Sequence, residues 1–234
     1  MSTETAAKEK AETPRPRRKD ARRNREKLIA AATEVFTERG LGAPLEEIAR
    51  RAGVSIGTLY NHFPSRDDLV VAYCPTRFTA QLQDADRALE RTPWEGFVWY
   101  LTRLCERHAC DRGLADLLTW KLPDTPELRD ACASTYERTR RIIARAQADG
   151  SLRPDFTPQD MSFLIWSSVC VITATSEVAP DAWRRHLDLL LDGCRASAAH
   201  PSATPPMTME QLLRTVPALG TATSQTATSQ PTEQ

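Results

Sequence analysis

The residues of this chain best suited to chemistry lie together in the run VSIGTLYNHFP, from Val54 to Pro64. If that run is helical, Leu59 and Phe63 stand four apart and share one buried side. Ser55, Ile56, Gly57, Thr58, Tyr60, Asn61 and His62 are then left nearer the outer surface. Thr58 and Asn61 can hydrogen-bond to base edges or phosphates, and Tyr60 and His62 can donate to phosphate oxygens. The free amides at a helix start attract an anion as well. Ser55 suits the cap of this helix. Gly57 leaves room for a close approach to a groove, and Ile56, without a hydrogen-bonding group, suits contact with a thymine methyl. This is the chemistry of recognising a nucleic acid rather than of making or breaking bonds.

The charge distribution agrees. The 234 residues carry no net charge, yet residues 1–66 hold 14 Lys and Arg against 9 Asp and Glu, while residues 67–234 hold 17 against 22. Residues 15–27, RPRRKDARRNREK, alone carry eight basic and two acidic side chains. Such a run beside a recognition helix is the electrostatic footprint of phosphate contact. Arg22, Arg23 and Asn24 open the first helix, and the arm before them is placed to follow a groove.

Other chemistries lack their residues. There is no phosphate-cradling glycine loop, no H-E-x-x-H and no G-x-S-x-G elbow, so neither an enzyme nor a cofactor is expected. Six cysteines are scattered without a C-x-x-C pair and read as small hydrophobes. Cys105 and His108, three apart, share a helix face and read as core packing rather than metal ligands. No apolar run reaches the roughly 20 residues of a membrane span. The N-terminus lacks the apolar stretch of a secretion signal, and a cytoplasmic location follows.

The elements that must position these groups are helices throughout, because alternating strand patterns closed by hairpin turns are absent. A first helix over 21–39 buries Leu28, Ala31, Ala32, Val35 and Phe36 and stops at Gly40. Pro44 starts a second, with Leu45, Ile48, Ala49 and Ala52 inside, and Gly53 stops it. The short third helix ends at Pro64, and Ser65 caps a fourth. Helix, tight turn, helix is the helix-turn-helix pattern. Further helices are expected over 66–91, 94–111, 113–121, 126–149, 159–177 and 181–196. The expected organisation is a disordered basic arm over 1–19, a helix-turn-helix domain over 20–66, a helical domain over 67–197 and a disordered Ala/Ser/Thr/Pro-rich tail over 198–234. Within that tail, Met209, Leu212, Leu213 and Val216 offer at most a short amphipathic turn.

The run LEEIARRAGVSIGTLYNHFPSRDDL over 45–69, preceded by AATEVFTERG, resembles the DNA-binding segment of the tetracycline-repressor (TetR) family. The agreement lies in Ile48-Ala49, Ala52-Gly53-Val54-Ser55, Gly57-Thr58-Leu59-Tyr60 and His62-Phe63. The resemblance implies an all-α fold of about nine helices: a three-helix DNA-binding domain followed by an effector-binding and dimerising domain. It implies a homodimer on a palindromic operator in double-stranded DNA, acting as a repressor released by a small-molecule effector. An activator, or a sequence-independent DNA binder using the same fold, is the alternative. By the same resemblance Arg66 meets phosphate, whereas Pro44 stands where the family commonly has a backbone-contacting threonine. Phe97, Tyr100, Leu101, Cys105, Trp120, Tyr136, Phe163 and Trp166 are the candidates to line the effector pocket. The acidic second domain suggests an apolar or cationic ligand. Leu164, Ile165, Val169, Ile172, Trp183, Leu187, Leu190 and Leu191 are the candidates for a four-helix dimer interface.

Overall fold

The computed structural model describes residues 15–212 and 214–215; residues 1–14 of the expected arm, and residues 213 and 216–234 of the expected tail, lie outside the described residues. Nine α-helices are found among them: α1 (Arg15–Arg39), α2 (Leu45–Ala52), α3 (Ile56–His62), α4 (Arg66–Leu89), α5 (Pro93–Cys110), α6 (Arg112–Leu117), α7 (Pro126–Ala148), α8 (Pro158–Thr175) and α9 (Ala182–Cys194). A 3-10 turn over Ala196–Ala198 follows. The all-helical expectation holds.

Local chemistry sets the helix ends. Ser65 and Asp68 form a reciprocal capping box at the start of α4, and Thr157 and Asp160 form another at α8. Pro93, Pro126 and Pro158 each occupy the first position of a helix, where no N–H is needed. Gly40 and Gly53 close α1 and α2 in left-handed conformations, with φ of 81° and 69°. Helix α1 starts at Arg15, six residues before the expected Ala21, so residues 15–19 are helix and not arm. These residues have no apolar periodicity to announce them. They extend a helix nucleated by the packed face further on, with Arg22–Glu26 and Arg23–Asp20 pairs at 2.9 and 3.5 Å along its exposed side.

The chain builds two apolar cores. One joins α1, α2, α3 and the first half of α4 around Leu28, Phe36, Ile48, Leu59, Phe63, Leu69 and Tyr73. The other joins the second half of α4 with α5, α7, α8 and α9 around Ala85, Phe97, Leu101, Ile143, Trp183 and Leu187. Helix α4 therefore belongs to both, and Pro75 lies inside it where the first core gives way to the second. A proline there deletes one helical hydrogen bond and favours bending at that point.

Helix α6 lies against α1 and α4 with no room to spare. A Cβ on Gly113 would sit 2.7 Å from the Tyr73 hydroxyl and 3.0 Å from the Phe36 carbonyl oxygen. Gly113→Ala is expected to cost about 1–3 kcal/mol by overpacking, seen as a lower urea midpoint with unchanged slope. An unchanged midpoint would show that α6 is free to move aside.

Candidate nucleic-acid interface and ligand cavity

The recognition segment is built as its residue types require. Ser55 caps α3, accepting from the Thr58 N–H at 3.1 Å, and its hydroxyl also pairs with the Thr58 hydroxyl at 2.9 Å. Leu59 and Phe63 are fully buried and anchor the helix on the first core. This turns Ser55, Gly57, Tyr60 and Asn61 outward and exposed, with Thr58 and His62 half-exposed beside them. Tyr60 is the most exposed large side chain of the segment, at 47%. Gly57 has open space before it. Ile56 departs from expectation in part: it is half-buried against the first core, leaving only its edge outward.

Helix α2 holds α3 from behind. It is tied to α1 by Arg51, whose two guanidinium nitrogens donate to Glu38 at 2.8 and 2.9 Å. Along α1, Arg22 and Arg23 point into solvent and Asn24 is half-exposed. Arg25 stacks over Phe63 at 5.0 Å, linking α1 to the end of α3. Arg66, expected at a phosphate, also has a part within the fold. Its Nη1 donates to the carbonyls of Leu41 and Ala43, both at 2.6 Å, and it is half-buried in holding the α1–α2 turn.

The second domain contains a cavity of about 490 Å³ between α4, α5, α7 and α8. Phe78 and Gln81 come from α4, Tyr100 and Leu104 from α5, Cys132, Thr135, Tyr136 and Thr139 from α7, and Met161, Ser162 and Ile165 from α8. The Tyr100 hydroxyl meets Gln81 Nε2 and Thr139 Oγ1, each at 3.3 Å. Burial raises the Tyr100 pKa, keeping the phenol neutral. Thr135 Oγ1 is buried without a partner. Among the described residues no Asp, Glu, Lys, Arg or His lines this cavity, so its wall carries no full charge.

Of the residues expected to line an effector pocket, the structure brings Tyr100 and Tyr136 together here. Phe97, Leu101 and Cys105 are sealed in the core. Trp120 donates to Asp67 at 3.1 Å beside the first turn of α4. Phe163 and Trp166 pair edge to face, 5.6 Å apart, away from the cavity. Sequence reasoning missed Phe78, Gln81, Thr135 and Thr139; the polar ones carry no apolar signal to mark them.

The residues expected at a dimer interface also divide. Val169, Ile172, Trp183, Leu187 and Leu191 are buried within the protomer's own core. Leu164 and Ile165 pack partly against it, and Leu190 is half-buried. The outward faces instead carry Phe163, Trp166 and Cys170 on α8 and Leu189 on α9, the last 60% exposed. Helix α8 is apolar almost all round, so its periodicity cannot say which side faces in.

Two aspartates of the α6 region join the domains. Asp111 caps α6 by accepting from Leu114 N–H at 3.0 Å, and accepts from the Tyr73 hydroxyl and from Arg77 at 3.1 and 3.2 Å. Arg77 also reaches Thr37 of α1 at 3.1 Å. Asp116 accepts from the Leu41 N–H at 2.7 Å in the α1–α2 turn.

With this geometry described, the chain can be placed. A helix-turn-helix with an exposed polar recognition helix, on a long shared helix leading into a helical second domain, defines a DNA-binding regulator of the helix-turn-helix class. Residues 28–73 match the family described as bacterial regulatory proteins, tetR family, and residues 92–196 match the C-terminal domain described as transcriptional regulator SbtR-like. A TetR transcriptional regulator of Streptomyces coelicolor is 31% identical, with 73% of this chain and 98% of that one covered at a TM-score of 0.50. The chain belongs to the TetR family of transcriptional regulators. Its fold also resembles that of FadR from Bacillus subtilis, solved with stearoyl-CoA, at 19% identity, with 75% of this chain and 99% of that one covered and a TM-score of 0.55. The Escherichia coli regulator UidR is 38% identical over 87 residues, which span 35% of this chain and 41% of UidR. No helix among the described residues is long and apolar enough to cross a membrane.

Cys105 and His108 are both buried in packing contacts, as their spacing suggests. Burial pushes the Cys105 thiol up to about 11 and the Cys74 thiol up to about 12. His108 is held neutral: its Nδ1 has no partner, and desolvation brings its pKa down to about 4. Its contribution to stability is complete above the unfolded-state value of ~6.5 and is lost as pH falls from there toward the folded value, since the unfolded chain takes the proton first. At about 1.4 kcal/mol per pH unit, stability should fall by roughly 3 kcal/mol through this group across that window. Urea titrations at steps between pH 7.5 and 4.5 check this. His108→Leu should flatten the dependence, and an equal slope in both proteins would refute the assignment.

Proposed function

We propose that this chain is a sequence-specific DNA-binding repressor that reads a palindromic operator as a homodimer and releases it on binding an uncharged small molecule. The observation that carries this is the α3 edge: Ser55, Gly57, Thr58, Tyr60, Asn61 and His62 turned to solvent by the burial of Leu59 and Phe63. Exposed donors and acceptors on a rigidly anchored helix are what base and phosphate contact require. Arg22, Arg23 and Asn24 lie along α1 as additional backbone contacts. In this reading the chain acts in the cytoplasm, needs no cofactor and has no catalytic step.

Dimerisation is assigned to the outward faces of α8 and α9, where Phe163, Trp166 and Leu189 leave apolar surface unburied. The effector is assigned to the cavity between α4, α5, α7 and α8. Phe78 and Gln81 connect it directly to α4, a few residues past Pro75. A ligand that prefers a shifted α4 would change the separation of two recognition helices, which must match about 34–36 Å of groove spacing.

A footprint on the DNA flanking the gene, with excess nonspecific competitor, should show a protected palindrome. Tyr60→Phe should weaken operator binding about tenfold, the loss of one hydrogen bond to a charged oxygen. Gly57→Trp should abolish specific binding with no change in thermal midpoint. Full operator affinity in Gly57→Trp would mean that another element reads the DNA.

A further inference from the structure

Beyond α9 the described residues up to 212 stay against the molecule. Arg153 Nη2 donates to the His200 carbonyl at 3.0 Å, fixing the start of the segment. Pro205, Pro206 and Met207 then pass beside Phe163 of α8. A helical turn begins at 209, opened by a reciprocal cap: the Thr208 N–H donates to Gln211 Oε1 at 2.8 Å, and the Gln211 N–H donates to Thr208 Oγ1 at 3.2 Å. The Leu212 N–H closes the turn on the Thr208 carbonyl at 3.0 Å. This sets Met209 and Leu212, three apart, on the cavity that holds Tyr100 and Tyr136. Both are half-buried there, while Thr208, Glu210 and Gln211 between and beside them face solvent.

We infer that residues 207–212 form a tethered lid over the ligand cavity, with Met209 and Leu212 as its movable outer wall. The inference rests on the cavity being the effector site. The segment walls part of the space through Met209 and Leu212 without filling it, since about 490 Å³ remains open beside them. Met209 and Leu212 are the side chains it sets on the cavity, and half of its six residues are exposed, which are the marks of an element that opens at low cost. Its attachment through Arg153 and His200 keeps it close to the cavity, so it recloses readily. Methionine, unbranched and polarizable, adapts its shape to what lies below.

The lid also defines the ligand. Toward the tail the cavity offers a thioether and a leucine; at the other side it offers the Tyr100, Gln81 and Thr139 cluster and the unpartnered Thr135 hydroxyl. A neutral molecule fits, apolar at the end beneath the lid and carrying a hydroxyl or carbonyl toward α5 and α7.

The test uses the full chain and the neutral fluorescent probe N-phenyl-1-naphthylamine, with dissociation followed by stopped flow. Ser162→Trp, which projects an indole into the cavity, should abolish probe binding. The double variant Met209→Asp, Leu212→Asp should release the probe about tenfold faster, because apolar contact over the ligand is lost, at unchanged thermal midpoint. Dissociation within twofold of the parent, in a protein whose binding Ser162→Trp abolishes, would overturn the lid alone. Absent binding, or binding indifferent to Ser162→Trp, would overturn the cavity reading and the lid with it.

Discussion

Asp111 and Asp116, five residues apart at the start and within α6, tie that short helix to α4 and to the α1–α2 turn. Asp111 gathers Tyr73 and Arg77 of α4 while capping α6, and Arg77 carries the connection on to Thr37 of α1. Asp116 reaches the backbone of the α1–α2 turn at Leu41, the same turn whose Leu41 and Ala43 carbonyls are held by Arg66. Burial raises the Asp116 pKa against the opposing effect of the Leu41 N–H. Gly40 and Gly113 are consequences of this arrangement: a side chain on the first would collide with Asp116, and one on the second with Tyr73 and Phe36. The α1–α2 turn, which leads into the helix-turn-helix, is therefore held in part by a six-residue helix of the second domain.

A buried charge pair of this kind is weak evidence of added stability, since desolvation offsets much of the attraction. Its directionality matters more. The Arg77 guanidinium lies 3.7 Å above the Tyr73 ring while donating to Asp111, so the pair is satisfied in one geometry only. Asp84 and Arg107 form a second such pair between α4 and α5, beyond Pro75. Helix α4 is thus pinned to α6 on one side of its proline and to α5 on the other.

Most of the fold was legible because its signals are local. Leu59 and Phe63 at four-residue spacing, Gly40 and Gly53 after apolar runs, and Ser55 and Ser65 before them each act within one or two helical turns, and each does in the structure what its type predicts. The recognition face followed from them. What escaped depends on contacts distant in sequence. Arg66 meets carbonyls 23 and 25 residues away, so nothing nearby in the sequence announces these contacts. Phe97 and Tyr100 lie on one helix and are both fully buried, yet the Tyr100 side chain reaches the open cavity and Phe97 does not. On α8 apolar residues occupy every side, so the sequence could not separate Ile172, facing the core, from Phe163, facing out. The helical turn that begins at 209 shows in the sequence only as the short amphipathic spacing of Met209 and Leu212; its start is set by Thr208 with Gln211 and by a surface it meets only after folding.

In the proposed mechanism the energetic demand on a ligand is modest. Turning a two-state population from 1:99 to 99:1 takes about 5.5 kcal/mol of preference for one state. Hydrogen bonds to charged groups contribute about 1.5–3 kcal/mol each, and Asp111 and Asp116 accept several across the domain boundary. Rearranging two or three of them is enough to span that range. A ligand lodged beside Phe78 and Gln81 acts on α4 within the few residues that separate the cavity from Arg77, so it need not work through the whole domain. The neutral lining is consistent with this division of labour. Charge is concentrated in the ion pairs of α4 with α5 and α6, where geometry is exacting, and is kept out of the cavity, where a ligand must enter and leave.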